Sequence, residues 1–511
     1  MTGVWPVAEV RAAEEALMAR LPDGALMQRA AYGLAVHCGL LCSGGADRPG
    51  AGPEGRGGVG AGPAGGGRPG PDRRYGSRVT LLVGAGNNGG DALYAGALLA
   101  RRGVRVTAVL LNPDRAHPGG LAALWAAGGR LVDAAAAGPA EAAVRTADLV
   151  LDGVVGIGGS GALRPAAARL AELAGESGAV RVAVDVPSGV DSDTGGVPGP
   201  AFGADVTVTF GCLKPGLLIG TGSVLAGRVE LVDIGLLPYL PDPRLQVLSA
   251  AEVAAAVPVP GPDDDKYTRG VVGVAAGSAR YTGAAVLATA AAAHGPAGMV
   301  RYVGGAAPLV RARLPEVVVS EGAPSQAGRV QAWVVGPGLG TEAGAAAVLT
   351  DALGSDVPVL VDADGITLLA ARRDLLAGRR APTVVTPHDR EFARLVGAEP
   401  GADRLAAVRR AAAELGAVVL LKGHATLVAR PDGTAYVDRA GSNWLATAGS
   451  GDVLSGMIGA LLAAGVEPGL AAAAGAYLHG AAGTLAARTG MPTASDVLAV
   501  VPAAFAALPK R

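Results

Sequence analysis

Lysine is almost missing from this chain. Of 511 residues 43 are basic, yet only Lys214, Lys266, Lys422 and Lys510 are lysine. Asparagine is as scarce, at Asn87, Asn88, Asn112 and Asn443. Three cysteines, Cys38, Cys42 and Cys212, are too few and odd in number for a disulfide framework, which fits a reducing compartment. His37 beside the helically spaced Cys38 and Cys42 has no fourth ligand nearby, so the group reads as a buried helix face rather than a metal site. Excess charge is lacking too: 43 basic residues face 44 acidic ones, which leaves no argument for a nucleic-acid or acidic membrane partner. Glu9, Arg11, Glu14 and Glu15 precede any long apolar run, so no secretory signal is visible and a cytoplasmic location is expected. The uncharged runs 281–300 and 468–487 carry Gly, Thr or Pro and a His, and read as interior helices with neighbouring loop, not membrane spans. A Walker-type G-x-x-x-x-G-K-[ST] is absent, so any phosphate must be held another way.

Scarcity makes the survivors informative. Lysine differs from arginine where a compact point charge is needed, so a retained lysine hints at a phosphate or close ligand contact. Length implies two domains, and Pro238, Pro241 and Pro243 place the boundary near Pro241, giving 1–240 and 245–511. Val7 to Leu41 is patterned as helix. The Gly/Pro-rich stretch 43–77 cannot bury a core and is expected to be a flexible insertion.

Both halves alternate strands with helices, which predicts α/β domains. The organising stretch is Asn443 to Gly456, N-W-L-A-T-A-G-S-G-D-V-L-S-G. Its small residues can turn sharply into a helix, and the orphan N–H groups and dipole at a helix start attract anions. Asp452 would repel a phosphate there unless it acts on the attacking group; otherwise it is a helix-start charge. In the first half, Arg78 to Leu82 runs into Gly84-Ala85-Gly86-Asn87-Asn88-Gly89-Gly90-Asp91. The G-x-G-x-x-G suggests a nicotinamide dehydrogenase, but Asp91 stands where the pyrophosphate would sit, and Asn112-Pro113 replaces the acidic residue expected after the second strand. Further strands lead to Asp152 with the loop Gly156-Ile157-Gly158-Gly159-Ser160-Gly161-Ala162, and to Asp185-Val186-Pro187-Ser188-Gly189. In an open α/β sheet such strand ends converge on one ligand crevice.

N-N-G-G-D, the Asp152 loop, D-V-P-S-G and T-F-G-C-L-K-P-G ending at Gly216 resemble the NAD(P)H-hydrate epimerase domain over about residues 1–240. The resemblance implies a Rossmann-like fold. It further implies hydrate contacts at Asn87, Asn88, Gly89, Gly90, Asp91, Gly156 to Ala162 (Ile157, Gly158, Gly159, Ser160 and Gly161 included) and Asp185, and a potassium ion at Asn88, Asp152 and Ser188. That family's L-M-E-x-A-G is L-M-Q-R-A-A here, from Leu26 to Ala31.

The second half carries Lys266-Tyr267, Gly277-Ser278, Tyr281 to Ala284, Gly336-Pro337-Gly338, Asp362-Ala363-Asp364-Gly365, Thr386-Pro387-His388 with Glu391, Lys422-Gly423-His424-Ala425-Thr426, and the organising stretch. The series resembles the ADP-dependent (S)-NAD(P)H-hydrate dehydratases over about residues 245–508. The implied architecture is two three-layer αβα domains, the second ribokinase-like. Carried over by position, Ala284, Gly338, His388 and Asp452 border the hydrate, and Lys422, Gly423, His424, Ala425, Thr426 and Gly451 border the nucleotide. Asp265 replaces the usual His before Lys-Tyr, and Ser450 the usual Thr between the glycines.

The expected function is metabolite repair. Asp452 would accept the proton of the C6 hydroxyl, the N–H groups of Ala448 to Gly451 would hold the moving phosphoryl of ADP, and magnesium, with Glu391 acting indirectly, would neutralise charge. Asp185 is the expected acid/base of the epimerase half. Expected partners are the hydrates NADHX and NADPHX, ADP, and further copies of the chain in a homo-oligomer. The alternative is a ribokinase-like small-molecule kinase fused to a non-catalytic binding or dimerisation domain.

Overall fold

The computed structural model describes residues 1–43, 75–159 and 161–510. Most of the expected insertion 43–77, and Ser160, therefore lie outside the described residues. Among the described residues two compact units emerge, one from Gly3 to Pro243 and one from Arg244 onward together with Met1–Thr2.

The first unit has a sheet of seven strands in the order Arg130–Asp133, Arg105–Leu110, Arg78–Val83, Leu149–Gly153, Val180–Val184, Val206–Phe210 and Arg228–Val232, every pair parallel. Period-2 alternation makes it the middle of three layers. Leu81 and Val83 point into a core with Val10, Leu34 and Leu93, whereas Leu82 points into another with Val150, Leu170 and Phe202. Chain order reverses between Arg78–Val83 and Leu149–Gly153, so a crevice opens beyond their carboxyl ends. The helical patterning of Val7 to Leu41 resolves into two helices, Val7–Met18 and Ala25–Cys42: the first closes at Ala19, and Pro22 and the left-handed Gly24 (φ 76°), the N-cap of the second, lie in the turn between them. Cys38 is buried in the second, and burial pushes its thiol pKa up.

The second unit is built on a sheet whose parallel run, reaching one edge, is Val418–Leu421, Thr383–Val385, Val359–Val361, Ala332–Val335, Val271–Ala275, Met299–Val303 and Val318–Ser320. Thr426–Ala429 and Ala435–Asp438 add an antiparallel pair beside Val418–Leu421. The order reverses between Val271–Ala275 and Ala332–Val335. The helices Thr282–Ala293, Ser450–Ala463, Pro468–Ala487 and Ala494–Ala506 share one core with Val272 and Val334. Ala343–Leu353, Asp364–Ala371 and Asp389–Val396 form a separate packed row. Ser450–Ala463 and Thr282–Ala293 pack tightly because a Cβ on Gly456 would meet the Ala288 carbonyl at 2.1 Å. Among the described residues no helix is long and apolar enough to cross a membrane.

Candidate active sites

In the first unit, close backbone approach assembles the crevice. A Cβ on Gly84 would stand 1.9 Å from the Val154 carbonyl oxygen, so only glycine lets the Asp152 loop lie against the start of helix Asn87–Ala100. The first glycine of the dinucleotide-like signature thus serves loop packing. Asp152 is fully buried. Its Oδ1 accepts from Ser188 Oγ (2.7 Å) and its Oδ2 from Ser188 N–H (2.8 Å), while Ser188 Oγ accepts from Val155 N–H (2.9 Å). Burial, only partly offset by the bonds from Ser188 and Val154, pushes Asp152 up to about 6. Asn88 Nδ2 is buried with no partner, and a Cβ on Gly156 would lie 2.8 Å from Asn88 Oδ1. The N-N-G-G-D segment, Asp152, Gly156 and Ser188 are therefore gathered at one place.

Asp185 follows strand Val180–Val184 with φ 67°, a left-handed conformation that costs a non-glycine residue about 1–2 kcal/mol. The conformation is held by Asp185 N–H donating to Val208 O (2.8 Å) and by Lys214 Nζ donating to Asp185 Oδ1 (2.6 Å). Lys214 is itself sealed in, with further bonds to Thr209 Oγ1 and Phe210 O, both 2.9 Å. Asp91 is raised well above the ordinary carboxyl value by burial, then by the negative charges of Asp185 and Glu14. Glu14 is raised by burial and Asp185, against the pull of Lys214 and Arg11. Lys214, Thr209 and Glu14 were not picked out from sequence as site residues. Lys214 and Thr209 both lie in the T-F-G-C-L-K-P-G motif, and the rarity of lysine was a further signal for Lys214; nothing local marked Glu14, 171 positions before Asp185.

In the second unit Asp452 is the third residue of helix Ser450–Ala463, whose N-cap Gly449 has φ 89°. Burial and then the charge of Asp362 raise Asp452 to about 7; Lys422 opposes, and Asp364 and Glu391 add. Lys422 Nζ donates to Asp362 Oδ1 (2.8 Å) and lies 3.8 Å from Glu391 Oε2. A Cβ on Gly451 would be 3.4 Å from Lys422 Nζ. Asp452, Gly451, Lys422 and Glu391 thus meet at one helix start. Within the expected collar, Ser450 N–H is turned to Thr447 O (3.3 Å), so not every N–H from 448 to 451 points outward.

His388 caps helix Asp389–Val396, its Nδ1 accepting from the N–H groups of Arg390 and Glu391, while Glu391 Oε2 accepts from His388 N–H at 2.9 Å. That cap fixes Glu391. Arg404 stands 3.2 Å from the Cβ position of Gly423, and His424 Nδ1 is 3.2 Å from Asn443 Oδ1, which joins the Lys422–Thr426 loop to the organising stretch. Ala284 and Gly338 are neighbours, since a Cβ on Gly338 would reach Ala284 Cβ at 2.7 Å. They adjoin an open cleft of ≈ 360 Å³ lined by Ser278, Tyr281, Gly340, Glu342 and Asp364, beyond the carboxyl ends of the two switch-point strands. Asp362 and Asp364, given no role in the sequence reading, adjoin this site, and so does Ser455, which lies inside the organising stretch but was assigned no role there.

Comparison with known proteins agrees with this division. Residues 24–216 match the family described as YjeF-related protein N-terminus, and residues 272–501 match NAD(P)H-hydrate dehydratase. The bifunctional NAD(P)H-hydrate repair enzyme of Mycobacterium tuberculosis (strain CDC 1551 / Oshkosh) is 53% identical over 93% of this chain and 92% of its own. That of Mycobacterium leprae is 52% identical over 99% and 100%, and that of Escherichia coli (strain K12) 36% identical over 82% of each. Among solved structures, an ADP/ATP-dependent NAD(P)H-hydrate dehydratase from Bacillus subtilis, co-crystallized with ATP/Mg2+, is 28% identical, covering 52% of this chain and 98% of that one with a TM-score of 0.47. Two sites, each at the switch point of its own parallel sheet, and likeness along nearly the whole chain lead to one conclusion: the chain belongs to the bifunctional NAD(P)H-hydrate repair enzymes.

Proposed function

We propose that the second unit dehydrates the S form of NADHX or NADPHX with ADP as phosphoryl donor, giving AMP and phosphate, and that the first interconverts the R and S forms. The observation that carries the reading is a carboxyl raised to about 7 at a helix start, beside a lysine ammonium. Such a group can serve as a base at neutral pH, which supports assigning it to the attacking hydroxyl rather than to the phosphate. Asp452 takes the C6 hydroxyl proton as that oxygen attacks the terminal phosphorus of ADP and AMP leaves. The C6–O bond then breaks with its electron pair departing as phosphate, C5 loses a proton, and the dihydronicotinamide double bond returns. Lys422 and the outward N–H groups of the collar stabilise the moving phosphoryl.

Among the described residues no three His, Cys, Asp or Glu side chains are grouped to hold a metal by themselves. That fits magnesium arriving on the nucleotide's phosphates, with Glu391 acting on it indirectly; the ion supplies neutralising charge. In the first unit Asn88 Oδ1, beside Gly156, and the oxygens of Asp152 and Ser188, which bond each other, are hard oxygen donors of the kind that would hold potassium, and that ion would supply positive charge there. Asp185 is placed to move the proton of epimerisation, since Lys214 fixes its orientation and leaves Oδ2 for substrate. The domain boundary this reading uses lies at 240–245.

Mixed R and S hydrates given to the purified protein with ADP and magnesium should regenerate NAD(P)H completely, followed by dihydronicotinamide absorbance. Conversion that stops at the S fraction removes the epimerase half of the reading. A stable phosphorylated product without NAD(P)H makes the second unit a kinase.

A further inference from the structure

The carboxylate of Asp362 touches neither cleft nor solvent, yet both its oxygens are used. Oδ1 accepts from Lys422 Nζ (2.8 Å) and Oδ2 from Ser455 Oγ (2.7 Å), and the side chains of Asp362 and Ser455 are sealed from water. Three elements meet there. Asp362 follows strand Val359–Val361, Lys422 follows Val418–Leu421 with Thr383–Val385 between them, and Ser455 lies on the helix that carries Asp452. Ala363, next to Asp362, has φ 51°, a second non-glycine residue held in the left-handed region.

The arrangement has an electrostatic purpose. Lys422 Nζ would be 3.4 Å, and Asp362 Oδ2 3.8 Å, from a Cβ on Gly451, so the ammonium stands against the positive end of the helix. Two like charges so placed separate unless an anion holds them. Burial favours neutral Lys422, but Asp362, Glu391 and Asp452 more than offset it and raise its pKa. Before any nucleotide phosphate arrives, Asp362 is the partner at hydrogen-bonding distance.

We propose that Asp362, steadied by Ser455, is a positioning residue for phosphoryl transfer: it holds the Lys422 ammonium over the start of helix Ser450–Ala463 and ties that helix, with Asp452, to the strand ends. The inference rests on the reading of Asp452 and Lys422 given above. It adds two residues that are buried and act through Lys422 and the helix that carries Asp452.

The test uses the full chain carrying Asp362→Asn or Ser455→Ala, with epimerase activity as the control that protein is intact. For Asp362→Asn, kcat for dehydration should fall about 100-fold while KM for ADP changes less than about threefold, since misplacement of about 1 Å can cost that factor. The acidic limb of its pH profile should also move to lower pH. Asp362 is the largest charge raising Asp452, with Lys422 opposing and Asp364 and Glu391 remaining. Ser455→Ala keeps that charge, so kcat should fall about tenfold with the limb unmoved. A purely structural role would lower the amount of active enzyme without moving the limb. A kcat within threefold of the parent in either soluble variant overturns the proposal, as does an unmoved limb in Asp362→Asn; if that variant does not fold, Ser455→Ala alone decides. Asp452→Asn run in parallel separates the two ideas: should it stay active, the reading of the base is wrong, and should it die while Asp362→Asn works, only this proposal fails.

Discussion

Asp452→Asn should abolish one activity and stabilise the fold at the same time. The parent carboxyl is raised from 3.8 to about 7, so the folded state binds more protons than the unfolded one between those values. Stability must therefore fall as pH rises through that window and level off above it. Each pH unit is worth about 1.4 kcal/mol, which sets a ceiling of about 4 kcal/mol for ionising this group. Partial solvent access lowers this to about 1–2 kcal/mol. Asparagine keeps size and helix-start hydrogen bonding without the charge, so the variant should gain that amount at pH 8 and nothing near pH 4. For a unit of this size that is a rise of about 2–6 °C in Tm. Dehydratase kcat should drop by about two to four orders of magnitude. Pure S hydrate should still yield R hydrate without nucleotide. Calorimetry at both pH values, with absorbance assays, checks all three. A variant equally stable at pH 4 and 8 relative to the parent, and still regenerating NAD(P)H, would show that Asp452 is only a helix-start charge.

Other outcomes follow from the same geometry. Dehydratase kcat/KM should fall about tenfold per pH unit below about 7, because Asp452 must be ionised to accept the hydroxyl proton; a profile flat to pH 5 contradicts this. Lys214→Met should destabilise the first unit by about 3–5 kcal/mol, because it strands a buried carboxylate. Epimerase activity should fall with it while dehydratase activity stays, which chemical denaturation and the paired assays will read. Asp152→Ala should remove any dependence of epimerisation on potassium along with most of its rate, tested by exchanging potassium for a large organic cation.

Much of this was legible in the chain, and what escaped has a common cause. Strand-end motifs can be read locally: Asn87 to Asp91, Asp185 to Gly189 and Lys422 to Thr426 sit at the carboxyl ends of parallel strands, where an α/β sheet collects its ligands. Partners cannot be read that way. Ser455 meets Asp362 across 93 positions, and Glu14 reaches the Asp185 neighbourhood from the first helix, so register and helix packing decide both. The break within the helical patterning of Val7 to Leu41 escaped for another reason. Apolar spacing continues on both sides of Pro22-Asp23-Gly24, and periodicity alone does not register a break that preserves it.

The two units also use one device in opposite senses. Each has a lysine beyond a strand bonded to a carboxylate beyond another: Lys214 to Asp185 at 2.6 Å, Lys422 to Asp362 at 2.8 Å. Exposure tells them apart. In the first pair the lysine side chain is 1% exposed and the carboxylate 10%; in the second the lysine is 23% exposed and the carboxylate 2%. The sealed partner cannot reach a ligand, so it serves to orient and hold the charge of the other. Chemistry should therefore lie with Asp185 in the first unit, where the proposed reading needs an acid or base, and with Lys422 in the second, where a phosphoryl needs a cation. A neutral isostere of the sealed partner should change rate more than ligand affinity in both units, whereas removing the open partner should change both.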